Sequence, residues 1–507
     1  LTVKKLSLPL NASERRSLLL VLDIIGLNLA LFISLMIRPE YELDLKVFLY
    51  RPNWFLILTF LWIFTAGMFD GYDFSVIGDA RRSVISAGKA VLLVCGVYLI
   101  IPYVTPILPS GRRYLVGFIL LTLAFVTGIR AVYAAAFSTT AFKRRALILG
   151  TGWEALAIAR TIRDFGKSVY EVAGFVGLGA GPPEKTDGDS VPPDERQKAD
   201  RADASPKTNA FDCGEREESR VEKSQLEEFG QIVGEAKDLC ALVPSSQITS
   251  LILAYPGEAD GRLFDTLTEC LELGVELIPM TVLYEKLTGR VPVHLAENEW
   301  FVAMPINHPG TNFLWPAVKR ASDIVLSSLG LIFLSLAFPF IALAIYLDSP
   351  GPIFYRQERV GKGGRRFKAV KFRSMIPEAE KEGAVWAAKN DRRVTRVGKI
   401  LRRTHIDEFP QFINILKGEM SAVGPRAERP EFVEKLRKEI PFYGARHAVR
   451  PGMAGWGLVK QGYAASKEDA LVKLQYDLYY IKHQGPWLDT IILLKTFLNT
   501  VTFRGRA

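Results

Sequence analysis

The sequence predicts a multidomain membrane protein: a four-helix transmembrane region, a Rossmann-like α/β domain, and a C-terminal α/β domain with a re-entrant membrane helix. Three observations carry this. Four apolar runs fill the first 140 residues, a strand–glycine–helix pattern opens at Ala146, and a further apolar stretch of about 30 residues precedes a strongly basic segment. Composition agrees. The 507 residues are 49% hydrophobic and only 23% charged, yet 64 Lys+Arg against 54 Asp+Glu leave a net charge of +10. A disordered or fibrous chain is excluded, and a simple cytosolic enzyme fits poorly. The excess charge alone leaves nucleic acid, anionic lipid and phosphorylated substrates open. Four cysteines without C-x-x-C spacing and five scattered histidines argue against disulfides and zinc.

The apolar runs cover 17–37, 54–69, 84–103 and 114–137. The first, third and fourth reach the roughly 20 residues that cross a bilayer, and the second is slightly short. The first run lacks a small-residue cleavage site and is expected to remain as a span. Nine basic residues flank the spans on one side (Lys4, Lys5, Arg15, Arg16, Arg81, Arg82, Lys143, Arg144, Arg145) and five on the other. Both ends of region 1–143 are therefore expected inside, with all that follows cytoplasmic. Asp23, within the first span, is expected to hydrogen-bond between helices, the alternative being a functional intramembrane acid.

Region 144–300 opens with a buried strand entering Gly150-Thr151-Gly152 and a helix from Trp153. Ala155 replaces the third glycine of a dinucleotide fingerprint, and Glu171 precedes rather than ends the apolar run 172–176, so a structural α/β domain is favoured over a cofactor site. Residues 184–228 hold 14 acids against 8 bases and few aromatics, so 181–228 reads as a disordered acidic insertion. The α/β pattern resumes with strands at 250–254 and 275–279 around a helix at 263–273. Residues 301–315 are a linker.

The apolar stretch 318–347 has Lys319 and Arg320 before it and Arg356 and Arg359 after it. Positive flanks on both sides favour a segment entering and leaving by one face over a fifth span, and Pro339 is expected to break the helix and permit the turn. Segment 356–403 then carries 16 basic residues against 5 acidic ones, a net +11. Its glycines, Gly361, Gly363 and Gly364, are expected to present backbone N–H groups to phosphate. Alternation over 367–375 predicts a strand with Lys371 and Arg373 on one face. In Asp407-Glu408-Phe409-Pro410, Pro410 tolerates only a first helical turn, which puts both carboxylates at a helix N-terminus. One could attack phosphorus while the other holds a cation; on spacing alone, Asp407 as a mere N-cap stays open. Arg426 and Arg450 sit in glycine-containing turns and suit either phosphate contact or ion pairing.

Ordered over 316–507, the stretches Lys319-Arg-Ala-Ser-Asp323, Asp348-Ser-Pro-Gly-Pro-Ile-Phe354, Gln357-Glu-Arg-Val-Gly361, Lys371-Phe-Arg-Ser-Met375, Asp407-Glu408, Gly418-Glu-Met-Ser421, Val423-Gly-Pro-Arg426, Arg450-Pro-Gly452 and Asp477-Leu-Tyr-Tyr480 resemble the bacterial sugar transferase family, the monotopic polyprenyl-phosphate hexose-1-phosphate (phosphoglycosyl) transferases. The four-span region plus Rossmann-like domain resembles the large, multidomain branch of that family, and Gln461-Gly-Tyr-Ala-Ala-Ser-Lys467 through Tyr480 is similar to its exopolysaccharide-biosynthesis members. The resemblance implies a catalytic domain at 316–507 that moves a sugar 1-phosphate from a UDP-sugar to undecaprenyl phosphate and releases UMP. Asp407 would be the nucleophile and Glu408 would assist through Mg²⁺. Lys371, Arg402 and Arg426 would surround the phosphates; Arg373 and Arg450 as phosphate ligands and Asp477 as a metal ligand rest on motif position. Membrane lipids and a second copy of the chain are expected partners at the bacterial inner membrane, and nucleic acid is not. Two positions depart from the family: Phe338 precedes Pro339 where Ser is usual, and Ala427 stands where the turn is written Pro-Arg-Pro.

Two rival readings compete with this one. Tyr463 and Lys467 fit the Tyr-x-x-x-Lys pair of short-chain oxidoreductases, which would suit a membrane-tethered nucleotide-sugar dehydratase or epimerase. They lie about 310 residues after Gly152, outside one βαβ unit, and read as a chance match. A silent polysaccharide-assembly scaffold is disfavoured by the intact Asp407-Glu408 pair.

Overall fold

The computed structural model describes residues 12–38, 50–101, 103, 105–108, 111–137, 143–178, 223–255, 261–293, 314–377, 379, 391–462 and 466–502. Most of the acidic insertion (to 222), the linker to 313, and residues 463–465 of the Tyr463–Lys467 motif lie outside the described residues. The chain divides into two compact units. One holds residues 135–283; the other joins 13–134 to 284–507, so the N-terminal apolar helices and the C-terminal region form one body.

The apolar runs fold as α1 (Ala12–Met36), α2 (Pro52–Met68), α3 (Ala80–Ile100) and α4 (Arg112–Phe137). Among the described residues four helices are long and apolar enough to cross a membrane, α1, α3, α4 and the later Leu314–Asp348, while α2 has 17 residues. Proline at the first turn starts α2, where its missing N–H costs nothing. The Asp79 side chain caps α3 by accepting from the Arg82 N–H. Leu27, Leu31, Leu58, Trp62, Val91 and Phe118 fill the space between the helices. Asp23 does bridge helices: its carboxylate pairs with Arg130 of α4 at 2.7 Å, both side chains wholly buried, and accepts from the Tyr72 hydroxyl at 2.8 Å. Arg130 leaves little signal in the sequence, because one arginine hardly perturbs a 26-residue apolar run.

The smaller unit is a five-stranded parallel sheet. Its elements are β1 (Arg144–Leu149), α5 (Trp153–Thr161), β2 (Tyr170–Gly177), β3 (Ile232–Glu235), α6 (Leu239–Ser245), β4 (Ser250–Leu253), α7 (Gly261–Glu272) and β5 (Glu276–Pro279). The order β3-β2-β1-β4-β5 reverses direction at β1, as in doubly wound sheets. Ala146 to Leu149 are fully buried, which fits a parallel strand covered on both faces. Gly150, at φ +124°, packs against the Ala254 carbonyl where no side chain would fit.

The rest of the larger unit begins with α8 (Leu314–Asp348), 35 residues long. Here the sequence reading is corrected: Pro339 lies inside one unbroken helix and does not end it. Proline removes one N–H, and packing on both sides of it, by Leu334 and Phe338 and by Ile341 and Ile345 around Phe372 and Leu401, holds the helix together. The hairpin β6 (Phe354–Val360) and β7 (Arg366–Phe372) follows. Its turn is the glycine loop, with Gly363 and Gly364 at φ +66° and +76°. The Gly361 and Gly364 N–H groups are spent on the carbonyls of Arg365 and Gly361, so the expected row of phosphate donors is not formed there. Then come α9 (Arg396–Arg403), α10 (Phe412–Lys417), β8 (Ser421–Val423), α11 (Pro430–Glu439), β9 (Gly452–Ala454), α12 (Trp456–Lys460), α13 (Lys467–His483) and α14 (Pro486–Val501). β8 pairs in parallel with β9 over a core including Val423, Leu474, Leu478, Tyr480 and Ile492.

Candidate active site

The carboxylate pair is set by a sharp reversal of the chain. The amphipathic helix α9 is started by Thr395, whose hydroxyl accepts from the Gly398 N–H, and by Asp348 at the end of α8, which accepts from the Val397 N–H at 2.8 Å. It ends at Thr404, and His405 takes a left-handed conformation at φ +58°. A non-glycine residue is strained there by about 1–2 kcal/mol, and such strain clusters at functional sites. The next residues, Ile406–Gln411, form a 3₁₀ turn leading into α10. Asp407 and Glu408 open this turn, 4% and 3% exposed. With three residues per turn, their side chains diverge by about 120°.

Glu408 is held by two cations. Its Oε1 accepts from Lys371 Nζ at 2.8 Å and from Arg426 Nη2 at 2.7 Å, while Oε2 accepts from Arg426 Nη1 at 3.3 Å. The Arg426 contact is a two-pronged guanidinium–carboxylate pair. Lys371 reaches the pair because β7 is pinned to α10 by Asn414. That side chain accepts from the Val370 N–H at 3.1 Å and donates to the Lys368 carbonyl at 2.9 Å. Burial is the main influence pulling the Lys371 ammonium below its ordinary pKa; Arg426 and Arg359 add to it, while Glu408 and Asp407 oppose it.

The remaining predicted residues are distributed unevenly. Arg402 occupies the last turn of α9, five residues before Asp407, and Arg450 is exposed in the turn before β9. Arg373 lies just beyond β7 and donates to the Ser349 and Pro350 carbonyls, which end α8, so its guanidinium serves that loop. Asp477 is 2% exposed and paired with Arg446 at 2.7 Å. Among the described residues no group of three or more His, Cys, Asp or Glu side chains is placed to hold a metal ion. Asp407 and Glu408 are adjacent carboxylates, a donor type that Mg²⁺ commonly takes singly or in pairs with water and phosphate completing its shell, but both Glu408 oxygens already accept from Lys371 and Arg426. Residues missed in the sequence are those acting through backbone: Asn414, Arg446, and Arg320, which donates to the Ile415 and Leu416 carbonyls of α10 at 2.6 Å each. Long-range carbonyl partners leave no local spacing signal.

The comparisons with known proteins bear on the same region. The bacterial sugar transferase family model matches residues 314–503. The exopolysaccharide production protein PSS of Rhizobium leguminosarum is 39% identical over 198 residues, which are 37% of this chain and 97% of that protein. The chain belongs to the bacterial sugar transferase family. A Bacillus subtilis relative, a putative undecaprenyl-phosphate N-acetylgalactosaminyl 1-phosphate transferase, is 55% identical over 133 residues, 26% of this chain and 73% of the relative. The UDP-N-acetylgalactosamine-undecaprenyl-phosphate N-acetylgalactosaminephosphotransferase of Aeromonas hydrophila is 43% identical over 240 residues, 47% of this chain and 55% of that protein. The aligned part of the chain thus spans about half the length of this last member.

Proposed function

We propose that this sugar transferase moves a sugar 1-phosphate from a UDP-sugar to undecaprenyl phosphate, the first membrane step in assembling an exopolysaccharide, capsule or O-antigen. The observation that carries the reading is the buried Asp407-Glu408 pair, with Glu408 gripped by Lys371 and Arg426. In this reading an Asp407 carboxylate oxygen attacks the sugar-bearing phosphorus of the UDP-sugar. The bond from that phosphorus to the bridging oxygen breaks, and UMP leaves with that oxygen and the bond's electrons. A phosphate oxygen of undecaprenyl phosphate then attacks the same phosphorus, breaking its bond to Asp407 and regenerating the carboxylate. Lys371 and Arg426, already turned toward Glu408, sit where they can offset charge building on the phosphoryl oxygens. Asp407 and Glu408 would hold Mg²⁺, which supplies neutralising charge to the diphosphate when bound.

The membrane half of the reading rests on α8. Its Arg320 and Asp323 bond the domain near one end and Asp348 does so at the other, while Leu329, Phe333, Leu336, Phe340 and Leu347 remain more than 45% exposed. A helix tied to one domain at both ends while presenting such a stripe suits attachment to a single, cytoplasmic, face of the inner membrane, where a polyprenyl phosphate presents its headgroup. The test is release of UMP from a panel of UDP-sugars with undecaprenyl phosphate and Mg²⁺. UDP-N-acetylgalactosamine comes first, because two of the relatives are named for that sugar. Turnover that is lost in Asp407→Asn is expected. Full turnover in that variant would remove the covalent step, and no turnover with any donor would remove the reading.

A further inference from the structure

The turn that delivers Arg426 lacks the second proline usual in the family, so nothing in the covalent chain fixes φ at Ala427. Three consecutive carbonyl oxygens of that turn are instead held from outside it. Arg446 Nη2 donates to the Arg426 carbonyl at 2.9 Å, Arg359 Nη1 to the Ala427 carbonyl at 2.9 Å, and the Val360 N–H to the Glu428 carbonyl at 3.0 Å. Arg446 is itself fixed: Nη2 also donates to Asp477 Oδ2 at 2.7 Å, and Nη1 donates to the Tyr443 hydroxyl at 2.6 Å. Its side chain is 3% exposed and that of Asp477 is 2% exposed. A buried guanidinium shared between a carboxylate and a main-chain oxygen has little freedom, and a carbonyl it holds cannot drift without stranding a buried donor.

We infer that Arg446 is a positioning residue for Arg426, and through it for Glu408, and that Asp477 orients Arg446 instead of ligating a metal ion. This deepens the proposed function and rests on it. The connection is unbroken: Asp477 to Arg446, Arg446 to the Arg426 carbonyl, and the Arg426 guanidinium to Glu408. Support of this kind, from groups that never meet substrate, is what keeps a phosphate-binding arginine within a fraction of an ångström of its working place. Glu428 balances the charge behind the turn, taking Lys473 at 2.8 Å and Arg359 at 3.7 Å.

A double-mutant cycle on the full chain in detergent tests it. Arg446→Met should lower turnover by roughly 10- to 100-fold in the wild-type background, and by no more than about twofold in Arg426→Ala, because the two act as one unit. Arg446→Lys, which keeps the charge but not the forked donor, should fall between and also covers the case of a poorly folding methionine variant. Losses that multiply in the double variant would overturn the inference. Asp477→Asn should leave the Mg²⁺ half-saturation point unchanged, and a rise of about tenfold or more would make Asp477 a metal ligand after all. A third measurement needs no activity. Hydrogen exchange by mass spectrometry should speed up in 424–429 in Arg446→Lys and Asp477→Asn, with β7 unaffected; unchanged exchange in 424–429 would overturn the pin. If the wild type releases no UMP, the functional reading fails, while the exchange experiment still decides whether Arg446 holds the turn.

Discussion

Arg426 meets Glu408 through both guanidinium Nη groups, at 2.7 and 3.3 Å, and the Glu408 oxygen that takes the shorter bond also takes Lys371. The carboxylate holds both cations in one place, and in the proposed reaction they need only exchange partners when a diphosphate arrives. Removing one member strands the others in a buried site, which typically costs about 3–5 kcal/mol. Arg426→Ala is therefore expected to lower UMP release by on the order of 10²- to 10³-fold, the usual effect of losing one preorganised charge donor. Arg426→Lys, a single ammonium in place of a fork, should recover only part of it. Rates within twofold of wild type for Arg426→Ala would place the phosphate elsewhere.

Acid should destabilise the larger unit in two stages. Burial first, then Arg446 and Arg437, pull His447 from 6.5 to about 4. The unfolded chain then binds more protons than the folded one between about pH 6.5 and 4, so stability falls as pH drops through that window. Burial tends to raise Glu428, but Lys473, Arg446 and Arg359 outweigh it and hold the carboxyl at about 2, against an ordinary 4.5. Its stabilisation is present above pH 4.5 and lost as pH falls toward 2. Each group contributes on the order of 3 kcal/mol. Thermal unfolding against pH should show both limbs, with His447→Gln flattening only the upper one.

A clasp of four charges joins the N-terminal helices to the C-terminal domain. Asp70, just after α2 in a left-handed conformation, takes Lys460 at 2.9 Å and also Lys495; Asp73 takes Lys460 at 3.1 Å. Phe64 and Trp487 pack beside it with ring centres 5.4 Å apart. Lys495 is only 7% exposed, so Asp70→Asn leaves a poorly solvated ammonium and should cost on the order of 2 kcal/mol after screening. Asp70→Lys should cost more, and adding Lys495→Asp should restore part of the loss. A swapped pair no more stable than Asp70→Lys in thermal unfolding would show that the apolar packing alone holds these parts together.

Much of this architecture is legible in local pattern. Apolar length predicts α1, α3 and α4, and a continuous apolar run predicts β1; the Pro410 rule puts Asp407 and Glu408 at the first turn of a helix, but they lie on a 3₁₀ turn with Pro410 inside it, and α10 begins only at Phe412. What is hidden depends on distant partners. Alternation puts Lys371 and Arg373 on one face, yet β7 ends at Phe372, and beyond it Arg373 is free to follow the Ser349 and Pro350 carbonyls. Asp477 matches a metal-ligand position by motif, and its partner Arg446, 31 residues earlier, leaves no local signal. The break at Pro339 fails for the opposite reason: local chemistry favours it, and packing on both sides overrides it.

Arg373 is buried and Arg426 half-buried, and sequence position alone gives them one job. Their surroundings separate them. The Arg373 guanidinium donates to two main-chain oxygens where α8 ends, and Phe372 beside it stacks with Phe354 at 5.5 Å between ring centres. Arg373→Met therefore leaves two carbonyls without their donor at the end of α8, a loss of about 1–3 kcal/mol. The expected result is a lowered melting temperature with KM for the UDP-sugar within about twofold of wild type, the reverse of the Arg426→Ala pattern. Steady-state kinetics at several UDP-sugar concentrations, run beside thermal unfolding, separates the two; a large rise in KM with unchanged stability would return Arg373 to the phosphates.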